Sequence, residues 1–363
     1  MGQLQRKVVG IAQSERLLPN FEPHKKRETG PIAVLFDDRE AAEVWRLFGF
    51  NWRLLAIATG VLNAGLVTTE FYIEPSGYVV TLAIVALYCR MGRLNAESES
   101  RRNPRVSYAL IATAQMILAM SVMTSLTYVA TSINLPLWDT SLLAWDRALG
   151  LDFRSYLNLV KDRPRLIAVL VIAYRSIAWQ IGIILILPLA GHYRRTGETI
   201  CAFALALIAT TCISAIIPAI GVYGTLGLQA SDFPNFEPQG YYDTLRDAPL
   251  LRAGSLHALN LFRLVGVLTF PSFHAVSAVL YIWAFWPLRW LRPVLVPCNI
   301  AMIASTPVGG GHYFVDVVAG IVVAVAAILA ARSISRFLAQ TRGLDEDREH
   351  SRATMVSGRA RTS

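Results

Sequence analysis

The sequence predicts an all-α, multi-span transmembrane helical bundle of about eight spans, and three observations carry that prediction. Only 16% of its residues are charged and 54% are hydrophobic, where a soluble domain has about a quarter charged. The apolar residues are grouped into stretches able to cross a hydrocarbon core of about 30 Å, which takes about 20 helical residues. Arg and Lys are concentrated in the tails and in the connections between those stretches, where they set topology.

Residues 1–53 are polar and mixed in charge, with Arg6, Lys7, Lys25, Lys26 and Arg27 among the bases. They read as a cytoplasmic extension with a short amphipathic helix at 38–48. Apolar spans are expected at 54–73, 78–89, 106–133, 166–189, 199–223, 271–285, 294–306 and 313–337. The second, sixth and seventh are short and fit as tilted or packed parts of a bundle, the second being the weakest. With the N-terminus inside, the base-rich connections around Arg90 to Arg105, Arg194 and Arg195, and Arg289 to Arg292 are cytoplasmic. The opposite connections at 74–77 and 307–311 carry no base. Residues 134–165 resist this scheme, because Arg147, Arg154, Lys161, Arg163 and Arg165 would be external. They alternate there with Asp139, Asp146, Asp152 and Asp162, in the pattern of an interfacial helix. The expected organisation is an extension at 1–53, N-terminal membrane helices at 54–133, a catalytic membrane domain at 134–337 and a disordered cytoplasmic tail at 338–363. The expected location is the plasma (inner) membrane, with both termini cytoplasmic.

The formal charge of +9 does not imply nucleic acid, since no basic stripe with interleaved aromatics accompanies it. Cys89, Cys201, Cys212 and Cys298 each fall in or beside an apolar stretch without C-x-x-C spacing and read as packing residues. No cluster of metal ligands and no cofactor motif stands out. A long polar segment before the first apolar run is unlike a secretory signal.

Two short motifs carry chemistry. Phe270-Pro271-Ser272-Phe273-His274 opens the sixth span, with proline as a helix-start signal and His274 in the first turn, beside unpaired amides and the positive dipole end. Gly309-Gly310-Gly311-His312-Tyr313-Phe314-Val315-Asp316 opens the last span, its glycines suited to an anion-binding nest. His312 and Asp316, spaced i, i+4, share a helix face, so the carboxylate fixes the imidazole tautomer and stabilises its charged form. Asp316 also lies inside an apolar span, where a carboxylate is costly and marks function. Both motifs fall at the external end of their spans in a topology derived from Arg and Lys alone. His24, His192, His257 and His350 lack such context.

These two motifs resemble the second and third signatures of the type 2 phosphatidic acid phosphatase superfamily. The flanking Pro218-Ala219-Ile220-Gly221-Val222-Tyr223 and Leu251-Arg252-Ala253-Gly254 are most similar to the branch containing inositol phosphorylceramide synthases. The resemblance spans roughly residues 138–337. It implies a helical bundle with its site at the extracytoplasmic end. By it, His312 is the nucleophile, Asp316 its orienting partner and His274 the acid for the leaving group. Two departures stand out. Thr306 follows Ser305 where the third signature, S-R-x5-H-x3-D, has arginine, and the first signature, K-x6-R-P, is absent. The phosphate clamp is therefore sought in Arg252 first and Arg246 second, with Arg175, Ser272, Gly310 and Gly311 as further contacts. The expected activity is metal-independent phosphoryl transfer from a lipid-linked phosphate, as phosphatase or phosphotransferase. The alternative is a non-catalytic transporter or lipid-binding protein using an intramembrane His/Asp pair.

Overall fold

In the computed structural model, residues 39–98 and 103–359 are described, with side chains described over 44–98 and 103–340. Three helices come first: α1 (Arg39–Thr68), α2 (Pro75–Glu97) and α3 (Pro104–Ser132). Both α2 and α3 begin at proline, whose missing N–H costs nothing in a first turn. Asn103 caps α3 by accepting from the Arg105 amide at 3.0 Å. Two short helices follow, α4 (Asp139–Ala148) and α5 (Phe153–Lys161), then α6 (Pro164–Ile183), the single turn α7 (Ile186–Leu189) and α8 (Tyr193–Ile216). Next come the turn α9 (Val222–Thr225) and α10 (Gln239–Arg252). The chain closes with α11 (Phe273–Phe285), α12 (Arg292–Gly310) and α13 (Phe314–Arg359). Strands β1 (Tyr72–Ile73) and β2 (Ala258–Leu259) pair in parallel and tie the α1–α2 connection to the long loop before α11.

Seven of these helices are long and apolar enough to cross a membrane: α1 from Val44, α2, α3, α6, α8, α12, and α13 to Gln340. The all-α multi-span fold is therefore as expected. The eighth apolar helix, α11, has 13 residues and reaches only about 20 Å at 1.5 Å per residue. Other boundaries differ from expectation for local reasons. The amphipathic helix and first span are one helix, since no proline interrupts residues 39–68. The second stretch, read as the weakest, extends to Glu97, its arginines carried on exposed helix positions where long stems snorkel. The stretch at 166–189 breaks after Ile183, and the stretch at 199–223 ends at Ile216, ahead of Pro218. The segment expected as a disordered tail continues α13 to Arg359, with no proline to stop it. The polar extension before residue 39 and the final residues 360–363 lie outside the described residues.

The core sits where α3, α8, α11, α12 and α13 meet, around the buried rings of Tyr108, Phe203, Tyr281 and Phe285. Asn299 of α12 donates to Gln180 of α6 at 2.7 Å, and both are fully buried, a polar contact between spans. The segment at 134–165 packs as foreseen for an amphipathic element. On α5, Phe153, Leu157 and Val160 are buried on one stripe while Arg154 and Lys161 lie on the others.

Candidate active site

The turn between α12 and α13 is built by glycine. Gly311, at φ +70°, closes α12 in the left-handed conformation that a side chain disfavours. Its N–H and that of His312 both donate to the Pro307 carbonyl, the latter at 3.1 Å. The three glycines therefore end α12; they do not open α13. The expected anion nest is not formed, because these amides are spent on the helix cap. What the glycines provide is space. A Cβ on Gly310 would lie 2.5 Å from His312 Cδ2, and one on Gly309 would lie 2.7 Å from the Tyr174 ring.

The chain emerging from this turn places His312 and Asp316 as their spacing predicts. His312 Nδ1 lies 3.2 Å from Asp316 Oδ2, and the Tyr313 amide donates to the same oxygen at 3.0 Å. His312 is 4% exposed and Asp316 is fully buried. When Nδ1–H donates to this carboxylate, the neutral ring has its lone pair on Nε2. The second motif meets the third through the backbone: the Ser272 amide donates to the Asp316 carbonyl at 3.0 Å. Gly320 permits this crossing, since a Cβ there would come 2.5 Å from the Ser272 carbonyl oxygen. Pro271 lies just ahead of α11, not within its first turn, and His274 is the second helical residue. The His274 ring stacks on Tyr174 of α6, centroids 3.8 Å apart and 11° from parallel.

Both imidazoles line one cavity of about 560 Å³. Arg175 and Gly310 line it too, as do Gln239 and Asp243 of α10. The rest of its wall is mostly apolar, supplied by Met120 of α3, Ile177 and Ile181 of α6, Leu207 of α8 and Phe273, with Thr124 and Thr127 of α3 and Thr244 of α10 among them. Ile181 lies seven residues from Tyr174 along α6, so the cavity runs about 10 Å down the bundle at 1.5 Å per residue.

The remaining expected phosphate contacts lie elsewhere. Arg252 donates through Nη2 to the Leu135 carbonyl at 3.0 Å and does not line the cavity. Arg246 chelates Asp247, with Nε to Oδ1 at 2.7 Å and Nη2 to Oδ2 at 2.8 Å. Tyr128 of α3 donates to the same carboxylate at 2.6 Å. Burial raises the Asp247 carboxyl, but the Arg246 and Tyr128 hydrogen bonds outweigh it and hold the group below its ordinary range. That cluster ties α10 to α3. Ser272 is fully buried beneath the helix start and does not line the cavity. Ser305 and Thr306 turn inward, both hydroxyls donating to the Met302 carbonyl at 2.8 Å.

A profile of the PAP2 superfamily matches residues 140–330, just over half of the 363-residue chain. The chain belongs to the PAP2 superfamily. No curated protein and no solved structure matches it. Members of this superfamily are in general phosphatases and phosphotransferases. Within this PAP2 chain, the matched segment runs from α4 into α13 and so contains both histidines, while α3 lies before it and still supplies part of the cavity wall.

Two positioning residues escaped the sequence reading. Asp146 of α4 accepts from the Phe314 and Val315 amides, each at 2.9 Å, and so caps α13. It is 1% exposed, and desolvation pushes its carboxyl above the usual carboxylate range even though the two amides pull it down. Asp139 accepts from the Gly221 amide at 2.8 Å, the Ile220 amide at 3.1 Å and the Tyr313 hydroxyl at 3.0 Å. The acidic residues among the apparently misplaced bases of 134–165 thus grip the turn that carries His312. Four aspartates interspersed among the bases of this amphipathic segment were the sequence signal for this.

Proposed function

We propose that this PAP2 protein transfers a phosphoryl group from a lipid-linked phosphate through a phosphohistidine intermediate on His312. The observation that carries the reading is the shared cavity, lined by two histidines and an arginine and by a mostly apolar wall that extends along α6. A soluble phosphate ester needs no such channel, whereas an acyl or prenyl chain fits it.

His312 Nε2 attacks phosphorus, while Asp316 stabilises the positive charge that develops on the imidazole. The bond from phosphorus to the leaving oxygen breaks, and His274, as imidazolium, protonates that oxygen. The substrate's own negative charge, set beside His274, favours the protonated ring. An acceptor hydroxyl then gives its proton to His274 and attacks phosphorus, releasing His312. Arg175 is our choice for the guanidinium on the equatorial oxygens, because it lines the cavity and Arg252 does not. The first-turn amides of α11 add to it; those of Phe314 and Val315 on α13 are already taken by Asp146. The reading places this chemistry at the extracytoplasmic face, supported by the distribution of bases between spans.

Transfer to an alcohol has an observation of its own. Gln239 and Asp243, bonded to each other at 3.2 Å, line the cavity and offer a donor and an acceptor to a hydroxyl-bearing partner. The test uses purified protein in detergent with phosphatidic acid, a prenyl diphosphate, or a phospholipid with and without an alcohol. Phosphate release and new lipid are followed, together with acid-labile label trapped on protein from a phosphorus-labelled substrate. Activity and label that vanish in His312→Ala support the proposal. Turnover that survives in His312→Ala refutes the nucleophile, and a folded wild type inactive on the whole panel refutes the lipid substrate.

A further inference from the structure

A second cavity, of about 570 Å³, opens at the opposite end of the bundle. It is formed by the first half of α1, the last half of α2 and the start of α3, far along each helix from the His312 turn. Helices α1 and α2 each lie along α3, leaving a cleft between them. The floor is apolar, with Phe48, Val85 and Ile111 all buried. Trp45 is held in the wall by Phe48 and Tyr108, at ring-centroid distances of 6.2 Å and 5.9 Å.

The rim is cationic. Arg46 and Arg53 on α1 and Arg93 on α2 line the opening, and no carboxylate among the described residues does. Arg46 and Arg53 are seven residues apart and therefore share one helix face. Gly49 lies between them on that face, with no heavy atom within 4 Å of where its Cβ would stand, so its missing side chain keeps the cleft open. Farther along the same three helices lies a separate small crevice of about 30 Å³, lined by Leu62, Leu82 and Val122 together with Asn63, Thr81 and Ser125. Arginines that only set topology would require neither a cavity nor an apolar floor beneath them.

We infer that this cleft binds one anionic phospholipid, its phosphate held at the rim of Arg46, Arg53 and Arg93 and the start of an acyl chain laid on the apolar floor of Phe48, Val85 and Ile111. Guanidinium groups suit phosphate because their planar forks donate in pairs. Trp45 and Trp52 sit where aromatic rings meet headgroups.

The test is native mass spectrometry of the full chain in nonionic detergent, titrated with phosphatidylglycerol, phosphatidylcholine or inorganic phosphate. The readout is the difference in tightly bound lipid copies between wild type and Gly49→Leu, which adds an apolar side chain at the cleft wall where a Cβ has no heavy atom within 4 Å. That difference does not depend on whether the histidine cavity holds a lipid of its own. One copy fewer in Gly49→Leu is expected. In wild type this copy should prefer phosphatidylglycerol over phosphatidylcholine by about tenfold or more, the worth of one charged hydrogen bond. A triple Arg46→Gln/Arg53→Gln/Arg93→Gln variant should lose the preference, and the corresponding Lys triple should recover part of it. Equal copy numbers in Gly49→Leu, or a preference that persists in the Gln triple, would overturn the inference. Displacement of the lipid by millimolar inorganic phosphate would do the same, by showing a simple anion site.

Discussion

Removing the Asp146 carboxylate should cripple turnover without dissolving the fold. Asp146 is 1% exposed and accepts from two amides in the first turn of α13, at 2.9 Å each. That turn lies between His312 and Asp316. Asp146→Ala leaves two buried N–H groups without a partner, at about 1–3 kcal/mol each for an unsatisfied buried donor. Side-chain caps measured one at a time are worth about 0.5–2 kcal/mol. Together these give about 2–4 kcal/mol for the loss of both amide bonds. If the first turn relaxes so that the cost falls on the alignment of His312 with Asp316, kcat drops by about 30- to 1,000-fold, at tenfold per 1.4 kcal/mol. Asp146→Asn keeps one acceptor oxygen and turns an N–H toward the other amide, so it should fall between wild type and alanine. The assay is kcat and KM on a lipid phosphate, beside thermal unfolding of the same preparations. A positioning role predicts a large fall in kcat, little change in KM, and the order Asp, Asn, Ala. Asp146→Ala turning over within twofold of wild type would refute the reasoning, as would Asn and Ala being equally impaired in proportion to lost fold.

Three further perturbations probe other contacts of the bundle. Tyr174→Leu removes the ring stacked under His274 and should lower kcat by up to about tenfold, since aromatic pairs are worth about 0.5–1.5 kcal/mol, while Tyr174→Phe stays near wild type in the same steady-state assay. Gly320→Ala forces a Cβ to 2.5 Å from the Ser272 carbonyl oxygen, driving α11 off α13. Overpacking of this kind costs about 1–3 kcal/mol, so both activity and the unfolding temperature should fall, and a variant unchanged in both contradicts the crossing. Asp247 is held below its ordinary carboxyl range, so the stability it contributes is complete above about pH 4, its unfolded value, and is lost as pH falls through the depressed folded value. Thermal unfolding from neutral pH to pH 3 should show Asp247→Asn less stable than wild type at neutral pH, with the difference closing in acid.

The sequence by itself determined that this chain is a membrane bundle and that His312 and Asp316 share one helix face. Apolar stretches interrupted by arginine can satisfy their backbone groups in a bilayer only as helices. His312 and Asp316, four residues apart on such a helix, meet through local geometry alone, which is why their contact was legible. His274 was legible as a residue type, but its stacking on Tyr174 was not, since 100 residues separate them and only the packing of α6 beside α11 brings them together. The clamp shows the limit most clearly. Arg252 and Arg246 are near the second motif in sequence, yet they bond Leu135 and Asp247 and neither lines the cavity, while Arg175, from a different helix, does. The glycines looked like a nest because their composition permits one, and the helix cap of α12 claimed their amides instead. Periodicity and local spacing fix what lies on one helix. Which side chains from separate helices share a cavity, and which carboxylate grips which turn, depends on packing that no short stretch of sequence contains.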